Sequence, residues 1–81
     1  MQDENIAVSD LGLASLLATL KFELVELKRA DAKRINFLFA PADGIEKVIS
    51  DYWADAETPV AIQSLFFNQK TLKNRLYAFK P

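Results

Sequence analysis

The sequence predicts an α+β fold, a small two-layer sandwich with the element order β-α-β-β-α-α. Residues 22–27 and 34–39 are runs of apolar and β-branched side chains separated by a short charged segment through Asp31 and Lys33, the pattern of an antiparallel hairpin. Before and after them, apolar residues recur three and four apart, the period of helices that lay one stripe on a sheet. At 81 residues and 9.1 kDa, residues 1–81 form one domain, because neither half could hold a core alone.

In chain order, residues 1–5 are acidic and polar and are expected to be flexible. Ile6 and Val8 flank a small residue in a brief apolar run, which predicts a short edge strand. Ser9 is a good N-cap and Asp10 puts a negative charge into the first turn, where the helix dipole favours it, so a helix is expected over 10–20. Leu13, Leu16, Leu17 and Leu20, with Ala14 and Ala18 beside them, form its apolar stripe, and Gly12 is its only oddity. The hairpin strands follow at about 22–29 and 33–39. In the second, Ile35, Phe37 and Phe39 alternate strictly with Arg34, Asn36 and Leu38, which gives one clearly buried face. The first is less regular: Phe22 and Leu24 share a face with Glu26, whereas Val25 and Leu27 share the other with Glu23. Either a bulge switches the phase midway, or the outer face meets something other than water.

Asp43, with Glu46 three residues on, has the form of a capping box opening a helix over 44–55, with Ile45, Val48, Ile49, Tyr52 and Trp53 on one face. Thr58 followed by Pro59 reads as an N-cap with proline at the first position of a long last helix over 60–78, although residues 59–61 also fit a short extended segment. Ile62, Leu65, Phe66, Gln69, Leu72, Leu76 and Phe79 mark the inner face of that helix.

Composition narrows the function. With no cysteine and no histidine, disulfides and the usual zinc, haem and iron–sulfur ligands are missing, and no metal or cofactor is expected. A hydrophobic fraction of 51%, with nine aromatics, is generous for so short a chain. A domain of this size buries only about 60% of its unfolded surface, so self-association is the natural way to gain burial, and a homodimer is expected. The net charge of −1 hides an asymmetry: residues 1–57 hold all eleven acids and six bases, whereas residues 58–81 hold four bases and no acid. The first residues lack the basic-then-apolar order of a secretory signal, and no apolar run approaches the ~18 residues of a membrane span, so a cytoplasmic protein with no membrane partner is expected.

Taken together, Ser9-Asp10-Leu11-x-Leu13-Ala14, Lys21-Phe22-Glu23-Leu24, Ile35-x-Phe37-x-Phe39, Asp51-Tyr52-Trp53 and Leu72-x-x-x-Leu76-Tyr77 resemble a family of short bacterial and phage-encoded domains of unknown function, from about Ile6 to Tyr77. The resemblance implies a fold rather than an activity, and a phage or mobile-element setting. Members of that family usually carry glycine where Lys21 stands, at the exit of the first helix. A lysine there must accept a left-handed conformation, or the turn must close differently.

Each cluster of chemistry-bearing residues has a plainer explanation beside it. Asp43, Glu46, Asp51 and Asp55 include an i,i+4 pair, Asp51 and Asp55, but hard cations usually draw oxygen ligands from several segments, and a solvated helix face accounts for these acids better. Without histidine, and with no serine or lysine in a nucleophile motif, they have no acid–base partner, and enzymatic activity is not expected. Lys70, Lys73, Arg75 and Lys80, with Asn68, Gln69, Asn74 and Tyr77 alongside, make the last helix basic. Phosphates attract such a face, and the same charges also stabilise the helix dipole. Tyr52 and Trp53, being adjacent on a helix, cannot both point inward; core packing explains Trp53 well. Phe66 belongs to the inner stripe of the last helix, whereas Phe67 falls off it and is the leading exposed anchor.

The sequence therefore supports a non-catalytic protein-interaction module that self-associates. The expected surface is the over-apolar outer face of the sheet, Val25, Leu27 and Leu38, together with Phe67 on the last helix. The alternative is a small nucleic-acid-binding accessory protein using Lys70, Lys73, Arg75 and Lys80, whose few charges imply steep salt dependence. A third reading, carried by the phage-like resemblance alone, is an inhibitor docked on a host protein.

Overall fold

The computed structural model describes residues 4–79, and its elements follow the expected order: β1 (Ile6–Val8), α1 (Leu11–Thr19), β2 (Leu24–Arg29), β3 (Ile35–Phe39), α2 (Ile45–Trp53) and α3 (Ile62–Ala78). Residues 1–3, within the segment expected to be flexible, and Lys80 lie outside the described residues. Among the described residues no helix is long and apolar enough to cross a membrane.

β3 is the central strand, with β1 and β2 antiparallel to it on either side. Its strict alternation puts Phe37 and Phe39 on one face, where both are fully buried. Register brings Val8 and Ile6 beside them from β1, and Leu27 and Leu24 beside the same two rings from β2. Leu24 and Leu27 are three apart and reach the same face only because the ladder slips between Leu24 and Glu26, leaving Val25 as the extra residue of a bulge. Leu27 is accordingly 7% exposed and part of the core, not of the outer face on which simple alternation puts it beside Val25. The outer face keeps Ala7 and Leu38 opposite each other, but Glu26 is Leu38's other neighbour and Lys28 stands opposite Asn36.

α1 opens at Asp10 rather than at Ser9. The Asp10 backbone is extended, and its carboxylate accepts the Leu13 N–H at 2.8 Å, which satisfies one of the orphan donors of the first turn. Residues 13–17 are all buried, so the helix is enclosed on more than one side. Leu13, Ala14 and Leu17 join the sheet residues, Ile45 of α2 and Leu72 of α3 in one core. Ser15 and Leu16 instead border a cleft shared with α3. The Ser15 hydroxyl donates to the Leu11 carbonyl at 2.7 Å, and Thr19 donates to the Ser15 carbonyl at 2.7 Å while accepting from Asn68 Nδ2 at 3.0 Å. That last bond ties the end of α1 to α3.

Both α1 and α2 close on a left-handed residue that is not glycine. At the end of α1 the Phe22 N–H donates to the Leu17 carbonyl and the Lys21 N–H to the Ala18 carbonyl, each at 3.0 Å, with Lys21 at φ 75°. The lysine thus accepts the conformation that glycine would supply at lower cost. At the end of α2, Ala56 N–H reaches the Asp51 carbonyl at 2.9 Å and Asp55 takes φ 62°. The expected capping box of Asp43 and Glu46 does not form: α2 is capped by Gly44 at φ 87°, with no side-chain hydrogen bond. Nor do Thr58 and Pro59 open the last helix, because residues 59–61 are neither helix nor strand and Ala61 occupies the cap.

Two stability measurements check this architecture by urea denaturation. Leu27→Ala is expected to cost about 2–4 kcal/mol as a core truncation, while Val25→Ala changes stability by less than about 0.5 kcal/mol. Lys21→Gly is expected to stabilise the fold by about 0.5–1 kcal/mol, since relief of the left-handed strain exceeds the added entropy of glycine in the unfolded chain.

Candidate interaction face

One hydroxyl ties α2, whose stripe of Ile45, Val48 and Ile49 packs on the core, to the start of α1. Tyr52 donates to Asp10 Oδ2 at 2.7 Å, the same oxygen that caps the first turn of α1, so a single carboxylate joins two helices. Gly12 makes the approach possible: a Cβ there would stand 2.6 Å from the Tyr52 hydroxyl oxygen. The hydrogen bond to Asp10 raises the Tyr52 pKa above its usual value, with burial and the negative charge of Asp10 adding in the same direction. Sequence reasoning noticed Asp10 only as a first-turn charge and Gly12 only as an oddity. The signal that could have joined them was a glycine two residues after an N-cap acid, with a tyrosine available elsewhere to fill the space.

With Tyr52 drawn inward, the next residue on the helix turns out. Trp53 is 64% exposed and forms a T-shaped pair with Tyr52, with ring centroids 5.0 Å apart and planes at 86°. Its expected place in the core goes to Tyr52, because a half-buried phenol gains a charged acceptor there that the indole has no counterpart for. Trp53 instead stands on the rim of an open cleft of about 610 Å³, with Leu16 and Ser15 of α1 at its base and Leu65 and Phe66 of α3 opposite.

α3 carries two stripes. Leu72 is buried, and Leu65, Leu76 and Phe79 are half-buried against the rest of the molecule. Ile62 and Phe66, assigned to the same inner face by their spacing, are exposed, Phe66 at 59%. At about 100° per residue, positions 62, 66, 70, 73 and 77 line up on an outer stripe, offset by more than a quarter turn from Leu72. That stripe runs Ile62, Phe66, Lys70, Lys73, Tyr77, apolar at its start and basic with an aromatic at its end. Lys73 Nζ stands 6.0 Å from the centre of the Tyr77 ring, a cation–π distance. Phe67, the most exposed aromatic, projects to the other side of Phe66, over a shallow depression formed with Lys21 and Pro59.

The residues anticipated as a self-association surface are therefore dispersed. Leu27 is in the core, Val25 is 44% exposed at the bulge, Leu38 is half-buried on the outer sheet face, and Phe67 lies on α3. Of the basic set, Lys70, Lys73 and Arg75 are all exposed on α3, and Arg75 sits away from the Lys70 and Lys73 stripe. The i,i+4 pair of acids does not share a face: Asp51 is bridged to Lys47 at 2.9 Å, and Asp55 lies past the end of α2 in its left-handed closure. Among the described residues no cluster of acidic side chains is arranged to hold a metal ion, and every buried side-chain nitrogen or oxygen has a hydrogen-bond partner.

The family of domains of unknown function DUF5659 matches residues 3–78 of this sequence. The chain belongs to that family. No curated protein and no solved structure matches it. For this DUF5659 chain, the chemistry of the surface is what bears on function, and its two notable features adjoin: an apolar group formed by Trp53, Ile62, Phe66 and Phe67, and a basic half of α3.

The shared carboxylate has a pH signature. The Tyr52 pKa is raised in the folded state, so the contribution of its hydrogen bond is complete below the ordinary tyrosine pKa of 10.0 and is lost as pH rises through the higher folded value. Tyr52→Phe is expected to cost about 1 kcal/mol at neutral pH, with the gap between the two proteins closing above roughly pH 10. Thermal denaturation of both proteins along a pH series measures it.

Proposed function

We propose that this DUF5659 domain is a non-catalytic protein-interaction module that self-associates, with its docking face at the end of α2 and the outer stripe of α3. The observation that carries the reading is the clustering of Trp53, Ile62, Phe66 and Phe67, four large apolar side chains each more than half exposed. Trp53 and Phe66 border one cleft, Ile62 lies one turn before Phe66 on the same face, and Phe67 adjoins it. Scattered exposed apolar residues are ordinary, but Trp53 and Phe66 on one cleft, with Ile62 a turn away and charge at either end, have the make-up of the core of an interface. The outer sheet face is the poorer candidate, since Leu27 is withdrawn from it and Glu26 flanks Leu38.

Light scattering at micromolar concentration is expected to give twice the 9.1 kDa monomer mass. Phe66→Ser is expected to reduce it to the monomer, and Leu38→Asp on the sheet to leave the dimer intact. A wild-type monomer throughout the range would sink the self-association, and dissociation by Leu38→Asp alone would return the interface to the sheet.

One further observation favours a second reading, a nucleic-acid accessory role: Lys70 and Lys73 share the outer stripe with Tyr77, and no acid follows Glu57 in the sequence. Bases can stack on an exposed tyrosine while lysines hold the phosphates. Mixed single-stranded DNA and RNA at low and moderate salt test it, and the absence of binding at low salt ends it.

A further inference from the structure

We propose that the occupant of this face is a second copy of the chain, with α3 docked antiparallel on its counterpart about a two-fold axis near Phe66, so that Lys70 and Lys73 of each copy meet Asp55 and Glu57 of the other. The inference rests on the self-association reading and adds to it an orientation and a register. It begins from how charge is distributed along the apolar group. On one side lies the loop between α2 and α3, where Asp55 borders the same cleft as Trp53 and Phe66, and Glu57, two residues on, is exposed. On the other side lie Lys70 and Lys73, one and two turns beyond Phe66 along the stripe. The face therefore reads acid, apolar, base in one direction.

Such a sequence of patches is complementary to itself only when reversed. Two copies docked parallel would set Lys70 and Lys73 against their own equivalents and Asp55 and Glu57 against theirs, which repels at both ends. The antiparallel arrangement brings Phe66 onto Phe66 of the second copy, Ile62 toward Lys70 of the second copy, and each basic half toward an acidic loop. It is an isologous two-fold contact, the commonest way in which identical chains associate. The four charges are available for it. Asp51 is engaged by Lys47, and this is the only ion pair among the described residues, so Asp55, Glu57, Lys70 and Lys73 have no ion-pair partner among them. A nucleic acid on the same face would meet the Asp55 and Glu57 carboxylates beside the aromatic group, which disfavours phosphate at the place where stacking is offered. An interface built from one helix face and a loop falls at the small end of specific contacts, below about 1,200 Å², so a concentration-dependent dimer is expected rather than a permanent one.

The test uses two full-length variants, Lys70→Glu/Lys73→Glu and Asp55→Asn/Glu57→Lys; asparagine is chosen because it accepts the left-handed closure at position 55. Circular dichroism establishes that each is folded before association is measured by sedimentation. Each variant alone is expected to self-associate at least about tenfold more weakly than wild type, because unlike contacts become like ones or are lost. Mixed in equal amounts, the two are expected to recover a heterodimer of near wild-type affinity, since each acidic loop or helix then faces a basic counterpart. Arg75→Glu reverses a charge on α3 away from the stripe and is expected to leave association within about twofold of wild type. Failure of the mixture to recover, or unimpaired self-association of either variant alone, overturns the antiparallel register. If Phe66→Ser still gives a monomer in that case, the interaction face stands and only its orientation is lost; a wild-type monomer removes both.

Discussion

The constraint on which the structure depends is the enclosure of α1. A three-stranded sheet offers one apolar face, and 81 residues leave little else with which to cover it. Here the covering helix is itself buried along the five residues of its middle, with Leu13, Ala14 and Leu17 packed into the sheet core and Ser15 and Leu16 turned toward α3. A helix buried on both sides loses the polar face that usually marks a surface helix. It gains burial for both neighbours, because α2 and α3 both pack on α1. Small side chains make this possible: Ala14 and Ser15 let neighbouring elements approach, and the Ser15 hydroxyl is satisfied within its own helix by the Leu11 carbonyl.

From that enclosure follows the placement of α2. The helix has an apolar stripe, but of its residues only Ile45 is fully buried, so packing alone holds it weakly. The packing of Val48 and Ile49 on the core is supplemented by the bond from Tyr52 to Asp10, made over a glycine that leaves room for it. At this partly exposed site the hydrogen bond contributes on the order of 1 kcal/mol and, unlike apolar contact, has a direction. Helical spacing puts Tyr52 on the stripe of Ile45, Val48 and Ile49 and Trp53 about a quarter turn off it, and the bond anchors Tyr52 there. Trp53 on the surface is the consequence of that spacing, and the candidate face is thus tied through Tyr52 and Asp10 to the first turn of α1.

What was legible in the sequence was whatever depends on period. The alternation of Ile35, Phe37 and Phe39 identified the central strand, and the three- and four-residue spacings located all three helices to within a few residues. What escaped depends on single atoms or on phase. A bulge is a one-residue slip, and β2 reads equally well with Leu27 inside or outside until its partner register is known. Caps were misassigned for a related reason: Ser9 and Asp10 are both good caps, and only the tertiary bond from Tyr52 makes Asp10 worth more. The charge asymmetry was plain from composition, but the division of α3 into Lys70 and Lys73 on one stripe and Arg75 on another follows only once the buried side of that helix is known.

α3 is where the sequence misled most, and the error carries information. A periodicity reading gathers every apolar residue near a common side into one stripe, and Ile62, Leu65, Phe66 and Leu72 fit one wide stripe well. The fold needs only the narrower part, Leu65, Leu72, Leu76 and Phe79, since α1 is slender and already flanked by α2. Ile62 and Phe66 thus lie outside what the core of one chain can use. Together with Trp53 and Phe67 they expose apolar surface beyond what this small domain can cover by itself. A chain of this size gains more from burying such surface between copies than from hiding it within one, which ties the same mismatch between helix and core to the proposed docking face.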